Sequence, residues 1–472
     1  MGAVWQDLRY ALRGIAKAPF LSFAVLLALS TGIGLNTAVF ALVDGSWLRP
    51  PVEKDPDSFV RVIPSYSGRF TQNLFPTFTV ADYDAFQTRA KSFRQVAGYN
   101  RILRAKLDDD SANANVGLVT CNFFDVYGWG PPVKGRLFLP EECSTPGSAP
   151  VAVITEALWR NRYSADPNII GRSIHLDQRS YTIVGILDAR MPTWMREDVW
   201  VPYTLQAEFW GGYDAFTQHP DDPWLFVAGR LKSGFSGANA QAELKSIQNQ
   251  QDQLIPGRKT TLQVTNGSLL QDPDTRLLGL LIIPLVMGPM LLILLVACTN
   301  VTMLLLSRAA ARRIELAIRL TLGAGRGRLL RMLGTEGLII AAAAGVISAY
   351  LASELPGFLW RFMLRESGYQ ALAPDWRVFA YLAGVTLLAA CIAGLAPARE
   401  SLKVDLLTSL KGQQDAATVR SPMWSALIVA QMAMSFVLVA AGVAFTRIER
   451  YVTSADPGFE TRQVFVEPLN VS

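Results

Sequence analysis

The sequence is poor in the residues that build metal and catalytic centres. Two histidines occur in 472 residues, His175 in a predicted strand and His219 before a proline, so no cluster with zinc-ligand spacing forms. Of the four cysteines, Cys298 and Cys391 sit in long apolar runs, where they pack as small apolar side chains. Cys121 and Cys143 share one region, and the sequence leaves open whether they pair. A G-x-x-x-x-G-K-[ST] loop is missing, and with it the amides, lysine and hydroxyl that cradle nucleotide phosphates. GAGRGRLLR at 323–331 is glycine-rich, but its third glycine is misplaced for a dinucleotide fingerprint and no strand precedes it. A G-x-S-x-G elbow is also missing. The expectation is a chain with no catalytic centre, cofactor or metal of its own.

Charge is scarce as well. Only 18% of residues are Asp, Glu, Lys or Arg, half belong to the hydrophobic class, and mean hydropathy is +0.24. Ordinary soluble domains carry more charge. The net charge of +5 is not gathered into a separate basic domain, which argues against nucleic acid as a partner. What the chain has instead is five uncharged runs, 18–43, 277–307, 337–353, 378–398 and 421–446, which place spans at 21–43, 277–307, 333–353, 378–398 and 421–446. Each approaches or exceeds the ~20 residues that cross ~30 Å of hydrocarbon. The predicted fold class is a membrane protein: an α-helical transmembrane bundle of about five spans with a large mixed α/β extracytoplasmic domain.

Charges beside the runs set the orientation. Arg9, Arg13 and Lys17 precede the first run, which is longer than the about 7 to 15 residues of a signal core and lacks a small-x-small site. It reads as an uncleaved anchor. Ahead of it, Trp5, Leu8, Leu12 and Ile15 share a helical face, as in a helix at 1–20 lying on the inner membrane surface. Lys and Arg beside span ends stay on the cytoplasmic side. The amino terminus, residues 308–331 and the linker 399–420 are then inside; residues 44–276, the loop 354–377 and the tail 447–472 are outside.

The outer region reads as mixed α and β. VAVIT at 151–155 has a buried-strand pattern and leads into a helical EALWRNRY. SIHLD and YTIVGIL flank the polar turn QRS as a hairpin. Residues 238–254 form a polar helix with few breakers.

The most informative segment is RAAARRIELAIRLTLGAGRGRLLR at 308–331, with seven arginines and one acid, Glu315. Glu315 and Arg319 stand i,i+4 with the acid first, which supports a helix by a few tenths of a kcal/mol. Gly323 and Gly325 are suited to end that helix. Arg326, Arg328 and Arg331 are placed to meet lipid phosphates or an acidic protein surface, and topology alone also accounts for them. Glu336 reads as an interfacial carboxylate.

These residues resemble the permease subunits of the macrolide-exporter (MacB) and FtsX-like class of ABC transporters. The likeness runs through DLRYALRGIAKAP and GIGLNTAVFALVDGSWLRP, then CNFFDVYGWGPPVKGRLFLPEE at 121–142 and VAVITEALWRNRY at 151–163. It continues with IIGRSIHLDQRSYTIVGIL at 169–187, DVWVPY at 198–203, and the block from Ala297 to Leu338. The resemblance implies a MacB-like periplasmic core domain, an FtsX-like permease domain and a bacterial inner-membrane, multi-pass location. It also implies that ATP is hydrolysed by a separate cytoplasmic ABC ATPase, with residues 308–331 as the coupling segment and Glu315, Arg319, Gly323, Gly325, Arg326 and Arg328 as its residues. Further partners are membrane lipid, a periplasmic adaptor or envelope protein, and a dimeric or pseudo-dimeric arrangement.

Residues 426–466 resemble the opening of a second copy in the duplicated branch of the class, so the chain reads as carrying an incomplete second half. Two functions follow. One is a permease that turns ATP-driven motion into movement of its outer domain for export or envelope work. The other is a non-transporting FtsX-like scaffold that regulates an envelope enzyme or senses a peptide.

Overall fold

A computed structural model describes residues 18–52, 54–68, 75–108, 113–147, 149–177, 179–188, 197–311, 326–364, 374–395 and 422–454. The predicted surface helix, the linker 399–420 and the outermost tail lie outside these, apart from a few flanking residues. Contacts divide the described residues into two units, one between Gly45 and Gly279 and one of long helices.

The first unit has ten strands: β1 (Phe59–Gly68), β2 (Phe93–Lys106), β3 (Asn113–Val119), β4 (Lys134–Gly135), β5 (Val151–Thr155), β6 (Ser173–Leu176), β7 (Arg179–Leu187), β8 (Val199–Pro202), β9 (Phe226–Leu231) and β10 (Arg258–Thr265). They form one sheet in the order β10-β1-β9-β2-β3-β8-β5-β7-β4, with β6 paired to β7. Just past β2, Leu107 bridges Leu176 of β6, and the Asp108 and Asp177 amides bond His175 and Lys106 carbonyls at 3.0 and 2.9 Å. Strands β2, β3, β8, β5, β7 and β6 thereby return on themselves.

Side chains alternate between the faces of a strand, and here both faces are buried. Ala152 and Ile154 enter one core with Ile183, Ile186, Val199 and Val201, while Val153 enters another with Val184, Leu187 and Trp200. That is why VAVIT is apolar without interruption. The first core is covered by α2 (Val80–Arg89), which packs on β2, and α6 (Gly237–Leu254), which packs on β10. Helix α6 buries Ala240, Leu244, Ile247, Gln248 and Gln251, one stripe at helical spacing. The second core is aromatic, with Phe123, Phe124 and Tyr127 of α3 (Phe123–Tyr127) beside Phe59, Tyr99, Phe138 and Trp200. Helix α4 (Glu156–Asn161) follows β5, with Thr155 Oγ1 accepting from the Leu158 amide at 3.1 Å, and a short α5 (Gln206–Phe209) follows β8.

Sequence-level expectations meet this unit at several points. The 173–187 segment is a hairpin and residues 237–254 are a helix. Cys121 and Cys143, left open by the sequence, are joined as a disulfide with Cα atoms 5.9 Å apart.

The second unit contains α1 (Pro19–Val43), α7 (Pro273–Ala311), α8 (Arg326–Leu364), α9 (Trp376–Ala390) and α10 (Pro422–Ser454), with the first residues of α7 and the last of α8 belonging to the other unit. All five are long and apolar enough to cross a membrane. Their core joins Val25, Leu29 and Ile33 of α1 to Leu294, Cys298 and Val301 of α7, Ile340 and Ala344 of α8, and Leu382, Val385 and Ala389 of α9. In the apolar window of α10 no residue is buried.

Without a hydrophobic force between helices in lipid, close approach depends on small side chains. A Cβ added at Gly32 would stand 3.0 Å from the Ala297 Cβ, and one at Gly337 would stand 2.9 Å from the Gly394 Cα. The Ser348 hydroxyl donates to the Ser30 carbonyl at 3.1 Å.

The helices overrun the uncharged runs. Helix α8 continues past Glu354 and Pro356 to Leu364, so part of the predicted loop 354–377 is helical. A charge ends a favourable hydrocarbon crossing, but it does not break the i to i−4 bonding that defines a helix. Helix α7 likewise contains Pro284 and Pro289.

Candidate functional site: the connector between the second and third spanning helices

Of the predicted coupling residues, Glu315, Arg319, Gly323 and Gly325 lie outside the described residues. Arg326 and Arg328 fall in the opening turn of α8. Part of the arginine-rich segment is thus helical and continuous with the third span, where Arg and Leu are good helix formers.

The structure adds a pair that the sequence did not reveal. Arg308, near the end of α7, meets Glu336, three turns into α8, with Nη1 and Oε1 2.7 Å apart. Their side chains are 10% and 9% exposed, so protein encloses the pair. Glu336 is therefore more than an interfacial carboxylate. An ionisable group at the edge of a span is expected to be paired, but a partner 28 positions away gives no local periodicity to read. Immediately beyond the pair, Gly337 lets α8 approach the backbone of Gly394 in the π-helical turn Cys391–Leu395 that ends α9. The Thr302 hydroxyl of α7 donates to the Ile392 carbonyl of the same turn at 3.3 Å. Helices α7, α8 and α9 are tied together at this end.

The opposite ends of α1 and α9 carry a polar and aromatic ladder. Asn36, Phe40 and Asp44 recur at i, i+4 and i+8. Tyr381 hydrogen-bonds the Asn36 side chain through its hydroxyl, and its ring stacks on Phe40 with centroids 4.0 Å apart. One turn earlier in α9, Arg377 Nη1 lies 3.9 Å from Oδ1 of the fully buried Asp44.

In the sheet unit the strongest electrostatic feature is Arg258. Its guanidinium bonds both oxygens of Asp82 at 3.0 and 2.8 Å and Asp252 at 2.8 Å. Asp82 also closes the capping box of α2, accepting from the Thr79 amide at 3.3 Å. Gln248, through its amide nitrogen, and Thr260 bond the same carboxylates, so α2, α6 and β10 meet at one charge cluster. Beside the disulfide, Arg136 binds Glu142 through two hydrogen bonds of 2.9 and 2.6 Å. Burial opposes ionisation of Glu142, but these bonds and the Leu139 amide outweigh it and hold the carboxyl below its ordinary value. The backbone amide of His175 donates to Asp108, and the His219 ring stacks on Tyr213 at 4.2 Å. Among the described residues, no group of His, Cys, Asp and Glu is arranged to hold a metal ion.

Residues 22–247 match the MacB-like periplasmic core domain, and residues 289–406 match the FtsX-like permease C-terminal domain. The chain belongs to the MacB/FtsX-like permease class, and this membership together with five described helices long and apolar enough to cross a membrane supports a multi-pass inner-membrane location. It is 25% identical over 321 residues to the macrolide export ATP-binding/permease protein MacB of Burkholderia thailandensis, covering 66% of this chain and 45% of that protein. It is 22% identical over 429 residues to MacB of Burkholderia pseudomallei, covering 87% and 60%. It is 24% identical over 303 residues to the pyoverdine export ATP-binding/permease protein PvdT of Pseudomonas syringae, covering 63% and 43%. The chain thus spans about half the length of the curated relatives it matches. Among solved structures, the periplasmic region of MacB from Actinobacillus actinomycetemcomitans aligns at 13% identity over 47% of this chain and 92% of that one, with a TM-score of 0.35.

Proposed function

We propose that this chain is the permease part of an ABC exporter and converts ATP-driven motion of a separate cytoplasmic ATPase into movement of its outer domain. The connector at 308–331 is the receiving element, with Glu315, Arg319, Gly323, Gly325, Arg326 and Arg328 as its coupling residues. The amino terminus is cytoplasmic, residues 44–276 face outward, and the working unit is a dimer or pseudo-dimer that meets an adaptor or envelope protein outside.

The observation that carries this reading is the joint presence of a MacB-like periplasmic core domain and an FtsX-like permease domain, with an arginine-rich connector inside the latter. The relatives' names combine export with ATP binding, which supports an ATPase as the partner. Among the described residues of the helical unit, the buried carboxylates Asp44 and Glu336 each have a basic partner, which favours mechanical coupling over a path for ions through the lipid.

A photo-crosslinker placed at Arg319 or Arg326 of the full chain in bacterial membranes tests the proposal. Capture of an ABC ATPase is the expected result. A folded, membrane-inserted chain that captures none contradicts it, and capture of an envelope hydrolase by the outer domain alone favours the scaffold role.

A further inference from the structure

We propose that Arg308 and Glu336 are positioning residues for coupling: their ion pair clamps the two helices that flank the connector, so that a push on it moves α7 and α8 as one body. The inference rests on the coupling reading above and concerns how the push is passed on.

Three observations carry it. First, the pair encloses the connector: the 27 residues between positions 308 and 336 include the whole segment from Arg312 to Gly325. A connector whose two ends were free to part would absorb displacement by spreading them. A clamp at its base removes that freedom. Second, the pair is enclosed by protein at 10% and 9% exposure, where opposite charges attract more strongly than at a wet surface. Parting the helices there would leave two charges apart in a poorly solvated place, which makes the joint resist opening. Third, the joint continues directly into backbone packing. Gly337 follows Glu336 and meets Gly394, and Thr302 reaches the same π-turn of α9. The clamp therefore passes load to a third helix, which in turn is tied to α1 through Tyr381, Phe40 and Asn36.

The test is a distance measurement on the full chain in lipid nanodiscs. Spin labels are placed at Ser307 and Gly327, both exposed, with open space around a side chain at Gly327. Cys298 and Cys391 are replaced by alanine, and the Cys121–Cys143 disulfide is kept. The wild-type pair is expected to give one narrow distance peak. Glu336→Gln and Arg308→Gln are each expected to lose it, and the double variant to broaden no further than either single, because both remove the same interaction. A narrow peak retained in either single variant overturns the proposal, as does additive broadening in the double. The coupling reading fails separately, through absence of ATPase capture by the wild-type connector.

Discussion

Arg258 places three hydrogen bonds on two carboxylates, and the two to Asp82 join a strand to the capping-box acid of a helix 176 residues away in the sequence. Both side chains are fully enclosed. Removing one partner leaves the other charge buried without compensation. Arg258→Met is expected to destabilise the sheet unit by about 3 to 5 kcal/mol. Denaturant unfolding of the full chain in detergent, followed by tryptophan fluorescence, measures it; a change below about 1 kcal/mol contradicts the role assigned to this cluster.

The disulfide closes a short loop, since Cys121 and Cys143 are 22 residues apart. Confining that loop in the unfolded chain is worth about 3 kcal/mol in the chain-entropy account. Cys121→Ser with Cys143→Ser is expected to lose roughly that amount in the same unfolding measurement. Mass spectrometry after alkylation without reductant should find Cys298 and Cys391 labelled on unfolding and the other two protected.

Acid should weaken the turn that carries Glu142. Its folded pKa lies below the ordinary 4.5, so the pairing with Arg136 stabilises the fold above that value and is lost as pH falls through the folded one. Glu142→Gln is expected to flatten the acid limb of stability against pH and to leave the neutral limb parallel to wild type. An unchanged acid limb contradicts the assignment.

Helix approach at Gly337 gives a sharper steric test. The methyl of Gly337→Ala would lie 2.9 Å from the backbone of Gly394, which has no side chain to swing away. Overpacking of this kind costs about 1 to 3 kcal/mol. Gly384→Ala, where an added methyl meets nothing within 4 Å, is expected to be neutral or slightly stabilising.

Sequence periodicity exposed some of these features and hid others for physical reasons. The five spanning helices were legible because hydrocarbon demands long uncharged runs, and the 173–187 hairpin was legible because QRS interrupts two apolar strands. Helix ends were not, since Glu354 and Pro356 sit inside α8 and backbone bonding continues through them. The charge cluster of Asp82, Asp252 and Arg258 and the clamp of Arg308 and Glu336 join residues far apart in the chain. Each member taken alone looks like an ordinary surface charge. Glu336 carried one signal, its position at the edge of an apolar run, but not the identity of its partner.

The central claim is mechanical coupling, and the most direct measurement follows the outer domain while the ATPase turns over. A fluorophore pair reporting on the outer domain, in nanodiscs containing the full chain and its captured ATPase, should change transfer efficiency when ATP replaces ADP. Glu336→Gln should abolish that change. A nucleotide-independent signal from a complex that hydrolyses ATP would contradict the account.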